Sequence, residues 1–162
     1  MPAWELRPAR RSDVRTIVAL WHEMMAFHHE RDPRFRFGPT VQRDLEQHLY
    51  STLRSREAVL LVVVAEAQVV GYLLGELHRR RPIYPVGAYG FISDLCVTER
   101  WRRRGIGSAL VERALAWFQE KGVTAVELLV ADRNPAALDF WRRMGWTDYL
   151  RLMRLDTQPD PS

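Results

Sequence analysis

Three arginines and two glycines within seven residues have the composition of a binding site for a phosphate group. The stretch reads Arg102-Arg103-Arg104-Gly105-Ile106-Gly107-Ser108. It follows an aliphatic and aromatic run at residues 90–97, which predicts a buried strand, and it opens an amphipathic run that closes at Lys121-Gly122, which predicts a helix. The turn is then a helix N-terminus, where unpaired N–H groups attract anions, glycine permits close approach and arginine binds phosphate oxygens in pairs. The sequence therefore predicts a phosphate or pyrophosphate site.

Other nucleotide-binding turns fit this stretch less well. A dinucleotide turn requires G-x-G-x-x-G, and a nucleoside-triphosphate loop has a lysine after its last glycine; the stretch has neither. The alternative interpretation is a surface turn with solvated arginines. The position between a hydrophobic run and an amphipathic run favours the binding site over that alternative.

With a second block further along the chain, this turn resembles that of the GNAT acyltransferase superfamily. The superfamily holds the acyl-CoA pyrophosphate on [QR]-x-x-G-x-[GA], which Arg102, Gly105 and Gly107 match. The second block, residues 123–146, is similar to the family's strand, Asn-capped helix and F-Y-x-x-x-G-[FW] ending. The resemblance covers roughly residues 71–155 and is weaker in the variable first seventy.

The resemblance implies an α/β fold: a mixed, mostly antiparallel central sheet with helices on both faces and a splayed central strand pair. It implies acetyl-CoA as co-substrate, with residues 102–108 on its pyrophosphate. The backbone groups of Leu95, Cys96 and Val97 would bind the pantetheine arm like a neighbouring strand, and Asn134 would lie near the far end of that arm. Amide N–H groups near Leu95 would face the reacting carbonyl oxygen.

The groups that move protons do not follow from the family pattern. The family's tyrosine on the fourth helix aligns with Trp141, whose indole N–H can donate a hydrogen bond but is not a usable acid. Glutamates of some members align with Phe91 and Ser93. Asp94 and Glu76 are the nearest carboxylates, and either could hold the substrate ammonium or relay its proton through water.

Each of these candidates also has a structural interpretation. Asp94 could be a hydrogen-bonded structural carboxylate, Glu76 a solvated charge and Trp141 a packing residue. Cys96 is expected to be structural, because no histidine lies near it in sequence to activate the thiol. The scattered histidines make a poor ligand set, so no metal is expected.

Composition narrows the class of protein. The 162 residues, 47% of them hydrophobic, suffice for one domain, expected at residues 1–155 with a tail at 156–162. A net charge of +4, spread along the chain, suits an anionic cofactor without indicating nucleic-acid binding. One cysteine excludes an intrachain disulfide, and the longest apolar run is too short to span a membrane. A cytoplasmic protein that does not bind membranes is therefore expected, and a homodimer is possible.

The remaining patterns predict the elements in chain order. They are a strand at 4–7, a helix from 13 to about 29, a loop at 30–39, a helix from 40 to about 56, strands at 58–65 and 69–77, a basic loop at 78–87, the central strand and helix already described, a strand at 123–130, a helix capped by Asn134 and a final strand within 147–155.

The expected function is acetyl-CoA-dependent transfer of an acetyl group to a primary amine of a small molecule or protein, by direct attack in a ternary complex. A non-catalytic CoA-binding or regulatory domain of the same fold is the alternative, motivated by Trp141 and the absent glutamates. A nucleic-acid-binding protein is the least favoured, because the arginines are not interleaved with aromatic residues on one evident platform.

Overall fold

Five strands form one sheet in the order in which they occur along the chain. The computed structural model describes residues 3–85 and 87–158. Its elements are β1 (Glu5–Pro8), α1 (Val14–Arg31), α2 (Val41–Thr52), β2 (Ala58–Ala65), β3 (Gln68–Arg79), β4 (Ala88–Val97), α3 (Ile106–Glu120), β5 (Val126–Leu128) and α4 (Pro135–Arg143). The sheet order is β1-β2-β3-β4-β5. The first three neighbouring pairs are antiparallel, and β4 and β5 are parallel.

Helices cover both faces of this sheet. On one face Leu60 and Val62 of β2 pack in a core with α1 and α2, and on the other Leu61 and Val63 pack in a core with α3. A strand that is buried on both sides reads as a continuous apolar run, which is the pattern of residues 58–65. The predicted mixed α/β fold with helices on both faces is confirmed.

The sheet opens between β4 and β5. The two strands pair only over Gly90–Ile92 and Val126–Leu128, while β4 continues to Val97. The strands therefore separate after Ile92, as the predicted splayed pair requires. Leu74 lies opposite Asp94 and Gly75 opposite Ile92, so Ser93 is an extra residue that bulges from β4 at the point of separation.

Two predicted strands differ from the structure. β5 has three residues, where the sequence predicts a strand over 123–130. The prediction of a final strand within residues 147–155 is wrong, because that segment forms no strand. A strand forms only with a partner edge. The last backbone hydrogen bond before the segment is that of Trp146, whose amide donates to the carbonyl of Trp141 at 3.0 Å. Residues 147–155 make no backbone hydrogen bond to another described residue.

Within residues 3–85 and 87–158, no helix has both the length and the apolar content needed to cross a bilayer.

Candidate active site

The glycine turn forms the N-terminus of α3. Gly105 is the N-cap residue, with a φ of 77° that other residues rarely adopt, and its carbonyl accepts the amide of Ala109 at 3.0 Å. The amides of Ile106, Gly107 and Ser108 thus belong to the first turn, which has no partner within the helix for its N–H groups. The first turn carries no acidic residue. A negatively charged ligand would be attracted here by both the N–H groups and the dipole of this 15-residue helix.

The three arginines before the turn have different neighbours. Arg102 donates from Nε to the carbonyl of Val97 at 2.9 Å, which ties the turn to the end of β4. The guanidinium of Arg104 lies over the ring of Trp101, 4.7 Å from its centroid. Arg103 is exposed, and none of the three pairs with a carboxylate in the described parts of the chain. Their charges are therefore available to an anion at the helix terminus.

Gly107 permits a contact between α3 and α4. A Cβ at this position would lie 3.3 Å from two ring atoms of Phe140. The sequence predicts a close approach at the glycines of this turn, and at Gly107 the neighbour is the ring of Phe140. Gly107 thus lets α4 pack against the first turn of α3.

The backbone of β4 presents alternate residues to the opening. The amide of Thr98 donates to the carbonyl of Val70 opposite it, at 2.9 Å. Because hydrogen-bonded and non-bonded pairs alternate along an antiparallel ladder, the backbone groups of Cys96 point to β3 and those of Leu95 and Val97 point toward the opening. The three residues predicted to bind pantetheine are therefore not equivalent, and only Leu95 and Val97 present backbone groups to the cleft.

Asp94 lies on the α1 and α2 face of the sheet, next to the buried Tyr72. The Tyr72 hydroxyl donates to Oδ2 of Asp94 at 3.3 Å. Burial raises the pKa of Asp94 to about 6, and the charge of Glu76 adds to this, while the Tyr72 hydrogen bond and His48 act in the opposite direction. Burial also raises the pKa of Tyr72 well above its usual range, so that its hydroxyl stays protonated as a donor. Asp94 can thus exchange a proton close to neutral pH.

Glu76, whose charge acts on the pKa of Asp94, contacts residues nearer the surface. Its Oε2 accepts a hydrogen bond from Ser93 Oγ at 2.7 Å. Nε2 of His48, on α2, lies 3.5 Å from Oε1, and Nε2 of His78 lies 4.0 Å from Oε2. The group extends from a fully buried tyrosine to a half-exposed histidine. A proton could pass between Asp94 and solvent through these groups if water bridges Asp94 and Glu76.

Sequence reasoning found the two carboxylates of this group but missed Tyr72, His48 and His78. His48 is 28 positions away from Glu76 in the chain, and nothing local connects them. The alternation of side chains along β3 could have revealed Tyr72. Tyr72 and Glu76 are four residues apart and therefore lie on the same face of the strand.

Trp141 and Asn134 have structural partners. Trp141 is 8% exposed and makes edge contacts with the rings of Phe140 and Trp146, each at 5.0 Å between centroids. Asn134 accepts the amide of Ala137 on its Oδ1 at 3.2 Å and so caps α4. Packing and capping account for these contacts, and a role toward acetyl-CoA stays a prediction for both.

Cys96 is a buried thiol. It is 5% exposed, and its S–H points to the carbonyl of Leu20 at 3.4 Å. Burial raises the pKa of Cys96 to about 12, so the thiolate is scarce at neutral pH. Among the residues that the structure describes, no group of three histidine, cysteine, aspartate or glutamate side chains could hold a metal ion.

A mixed sheet that opens beside a helix N-terminus suits the binding of an extended anionic ligand such as a coenzyme. Residues 20–146 match the model of the Acetyltransferase (GNAT) family. The chain therefore belongs to the GNAT acetyltransferase family.

Individual relatives agree with this assignment. A mycothiol acetyltransferase from Paenarthrobacter aurescens is 29% identical over 109 residues, which are 67% of this chain and 33% of that protein. The chain thus spans about a third of the length of that relative. A tetramutant of the BH1408 protein from Bacillus halodurans has 26% identity and a TM-score of 0.81, covering 94% of this chain and 99% of that one.

A third similar protein was solved with a ligand. It is described as a predicted acetyltransferase with acetyl-CoA, from Clostridium acetobutylicum. The TM-score is 0.76 at 15% identity, covering 94% of this chain and 96% of that chain. This likeness shows that the two proteins share a fold.

Proposed function

We propose that the protein transfers the acetyl group of acetyl-CoA to a primary amine of a small molecule or of a protein. One observation carries the proposal: a carboxylate with a pKa of about 6, Asp94, directly precedes Leu95, whose backbone groups face the opening between β4 and β5. An acetyl donor in the cleft and an amine on the α1 and α2 face would meet at this point of β4.

The residues around the cleft fit acetyl-CoA. The amides at the start of α3, with Arg103 and Arg104, would hold the pyrophosphate. Backbone groups of Leu95 and Val97 would bind the amides of the pantetheine arm as a neighbouring strand does. Acetyl-CoA supplies the activated thioester, and family membership together with the ligand of the Clostridium protein supports this choice of donor.

Asp94 is proposed as the group that receives the proton of the attacking amine. An amine must be neutral to attack a carbonyl, and most amines are protonated at pH 7. A carboxylate with a pKa of about 6 is ionised at that pH and still binds a proton more readily than an ordinary aspartate. Water would then carry the proton from Asp94 to Glu76, and His48, 3.5 Å from Glu76, would pass it toward solvent.

The amide of Leu95 is proposed to stabilise the carbonyl oxygen as negative charge develops during attack. A fixed N–H donor in a cleft costs no reorganisation when the charge appears. The departing thiol of CoA needs no strong acid, because a thiol with a pKa near 8.5 leaves readily as thiolate. An acid at the position of Trp141 is therefore not required for turnover.

A panel of amines tests the proposal through the release of free CoA thiol from acetyl-CoA. Small diamines, amino acids, aminoglycosides and peptides with free N-termini or lysines cover the acceptor classes. We expect Asp94→Asn to lower kcat/KM by about 100-fold or more with the best acceptor, which is the usual size of a lost general base. Asp139→Asn, an exposed carboxyl on α4, is the matched control and is expected to change kcat/KM less than twofold.

A non-catalytic CoA-binding domain is the second candidate function. It is favoured by the tryptophan at position 141, which packs where the family has a tyrosine. Tight binding of acetyl-CoA with no thiol release from any member of the panel would support it and would contradict the proposed transfer. Equal rates for the wild type and Asp94→Asn would contradict the role of Asp94 alone.

A further inference from the structure

Two carboxylates at the proposed reaction point have no arginine or lysine beside them. Among the described residues, the ion-pair partners of Glu76 are His48 and His78, and histidine is charged only when protonated. Asp94 forms no ion pair within the described parts of the chain, and its Oδ2 accepts from the Tyr72 hydroxyl. The whole chain has 24 lysine and arginine residues against 20 acidic ones. Negative charge without a fixed cationic partner attracts a cationic ligand.

Both carboxylates lie on the α1 and α2 face of the sheet. Asp94 is opposite Leu74, and Glu76 is two residues further along β3 on the same face. Diagonal neighbours of this kind across a ladder lie about 7–8 Å apart. Ser93, which bulges from β4 between them, donates to Glu76 at 2.7 Å. The two nitrogens of a short alkyl diamine, with about three to five carbons between them, have a comparable separation.

A row of aromatic rings continues the surface outward from Glu76. Phe91 lies opposite Glu76, and Tyr89 lies opposite His78, so these four side chains share one face. The ring of His78 stacks on that of Phe91 with 4.8 Å between centroids and an angle of 10°, and it meets the ring of Tyr89 edge-on at 5.5 Å. All three rings are half-buried. Aromatic faces attract ammonium groups and pack against the methylene groups that carry them.

A cation closes the outer end of the aromatic row. The guanidinium of Arg80 lies over the ring of Tyr89, 4.2 Å from its centroid, and is bonded to Glu127 of β5. A further positive charge would be repelled at this end, whereas an ammonium beside Glu76 would not meet a fixed cation. The arrangement therefore suits one ammonium group in addition to the reacting amine, and it does not suit a long polyamine lying along the whole row.

We propose that the preferred acceptor is a short alkyl diamine, whose reacting nitrogen approaches Asp94 while its second ammonium binds Glu76. This inference rests on the proposed acetyl transfer and names the acceptor class of the same site. A carboxylate has about four lone-pair sites, so Glu76 can accept from Ser93 and from the ammonium at once. An amino acid is disfavoured, because its own carboxylate would enter a region of negative charge that has no arginine or lysine to bind it.

The transfer itself is balanced by groups already described. The neutral nitrogen forms an amide bond with the acetyl carbon as the thioester C–S bond breaks, its proton passes to Asp94, and CoA leaves as thiolate. The products are the mono-acetylated diamine and CoA. The second ammonium takes no part in the bond changes, so its contribution is to bind and orient the acceptor.

Rates of thiol release with three matched amines test the acceptor class. Butane-1,4-diamine, 4-aminobutan-1-ol and butylamine have the same carbon chain and differ in the far group, which is an ammonium, a hydroxyl or a methyl. We expect the wild-type kcat/KM to be about tenfold or more higher for the diamine, because only its far group forms a charge-assisted hydrogen bond. Glu76→Gln is expected to reduce this ratio to less than about threefold. Loss of Glu76 as a proton relay would lower all three rates alike, so the ratio reports the binding of the second ammonium.

Glu57→Gln is the matched control. Glu57 is paired with Arg79, and its carbonyl accepts the amide of Leu77, whose side chain packs in the core on the α3 face of the sheet. The variant therefore removes the same charge near Glu76 but on the other face, and it is expected to keep the preference for the diamine. A wild type that uses butylamine as well as the diamine, or a Glu76→Gln variant that keeps the full preference, would overturn the proposed acceptor class and leave acetyl transfer in place.

Saturation-transfer NMR with the same amines separates this inference from the proposed transfer, because it requires neither acetyl-CoA nor turnover. We expect a signal for butane-1,4-diamine with the wild type and the loss of most of that signal with Glu76→Gln. If no amine releases thiol, the proposed transfer fails and this measurement alone decides on the diamine site. Equal signals for the diamine and butylamine, or an undiminished signal with Glu76→Gln, would then overturn it.

Discussion

Burial of Asp94 lowers the stability of the folded chain when the carboxyl is ionised, and it also makes the carboxylate a stronger base. The burial that raises its pKa to about 6 makes the carboxylate costly to ionise, and the same burial makes it a better proton acceptor than an exposed aspartate. Perturbed pKa values of this kind concentrate at functional sites. The buried Tyr72 has a single described partner for its hydroxyl, Oδ2 of Asp94, so the tyrosine orients the carboxylate.

The sign of the pKa shift gives a test that does not require an acceptor. The pKa of Asp94 is higher in the folded chain than its ordinary value of 3.8. Between these values the folded state binds more protons than the unfolded state, so the contribution of this carboxyl to stability is fully present below about pH 4 and is lost as the pH rises through about 6. At pH 8 the charged Asp94 is therefore destabilising relative to a neutral side chain.

We expect Asp94→Asn to raise the free energy of unfolding at pH 8 by about 1–3 kcal/mol and to leave it nearly unchanged at pH 4, since one pKa unit corresponds to about 1.4 kcal/mol. The amide oxygen of asparagine can still accept from Tyr72. Urea unfolding at the two pH values measures the difference. A variant that is less stable than the wild type at pH 8 would mean that Asp94 is an ordinary structural carboxylate.

Short-range signals in the sequence were enough for several elements. Gly105 and Gly122 flank α3 with positive φ angles of 77° and 73°, and the residues between them form the predicted helix. Asn134 caps α4 as expected. In each case the signal and the structure that it produces lie within one helical turn of each other.

Elements that depend on a distant partner were harder to predict. The stretch at residues 147–155 has the composition of a strand. A strand also requires a partner edge, and composition does not state whether the chain supplies one. β5 is short for the same reason, because only three of its residues meet β4 before the two strands separate. The apolar run at 123–130 indicated the strand but not where its pairing stops.

The N-terminus of α3 can be tested as an anion site by reversing one charge. We expect Arg103→Glu to weaken the binding of acetyl-CoA by about 10-fold or more, because a change of two charge units near a pyrophosphate is worth at least about 1.4 kcal/mol. Arg103 has a positive φ of 57°, and glutamate must adopt the same backbone conformation at the same position. The variant therefore changes the charge without a new backbone requirement. Calorimetric titration of the folded variant gives the affinity.

Arg113→Glu provides the control for this experiment. Arg113 is exposed on the same helix, two turns from its start, so the variant has the same net charge as Arg103→Glu at a different place. We expect less than a threefold change in affinity. Equal losses in both variants would indicate general electrostatic attraction, and no loss in Arg103→Glu would contradict the placement of the pyrophosphate.

For the whole molecule, the order and type of the elements determined the fold class before any contact was known. Two helices, an antiparallel hairpin, and then a strand-helix-strand unit require both antiparallel and parallel pairs, and the sheet has both. The extent of the domain, residues 1–155, stays a prediction. The candidate site was predictable only in part, since His48 of α2 meets Glu76 of β3 through tertiary packing that no local pattern encodes.

The opening between β4 and β5 gives the molecule its proposed activity. Along β4 and the turn that follows it lie a carboxylate of raised pKa, backbone groups that face the opening, and the N-terminus of α3.

Calorimetric titration of the purified protein with acetyl-CoA, in parallel with ATP and NAD, tests the central claim most directly. We predict micromolar or tighter binding of acetyl-CoA, and no measurable binding of ATP or NAD at the same concentrations, because the turn lacks the spacing of both other nucleotide sites. Absence of acetyl-CoA binding in a well-folded sample would contradict the account, since the glycine turn would then be structural and the proposed transfer would have no donor.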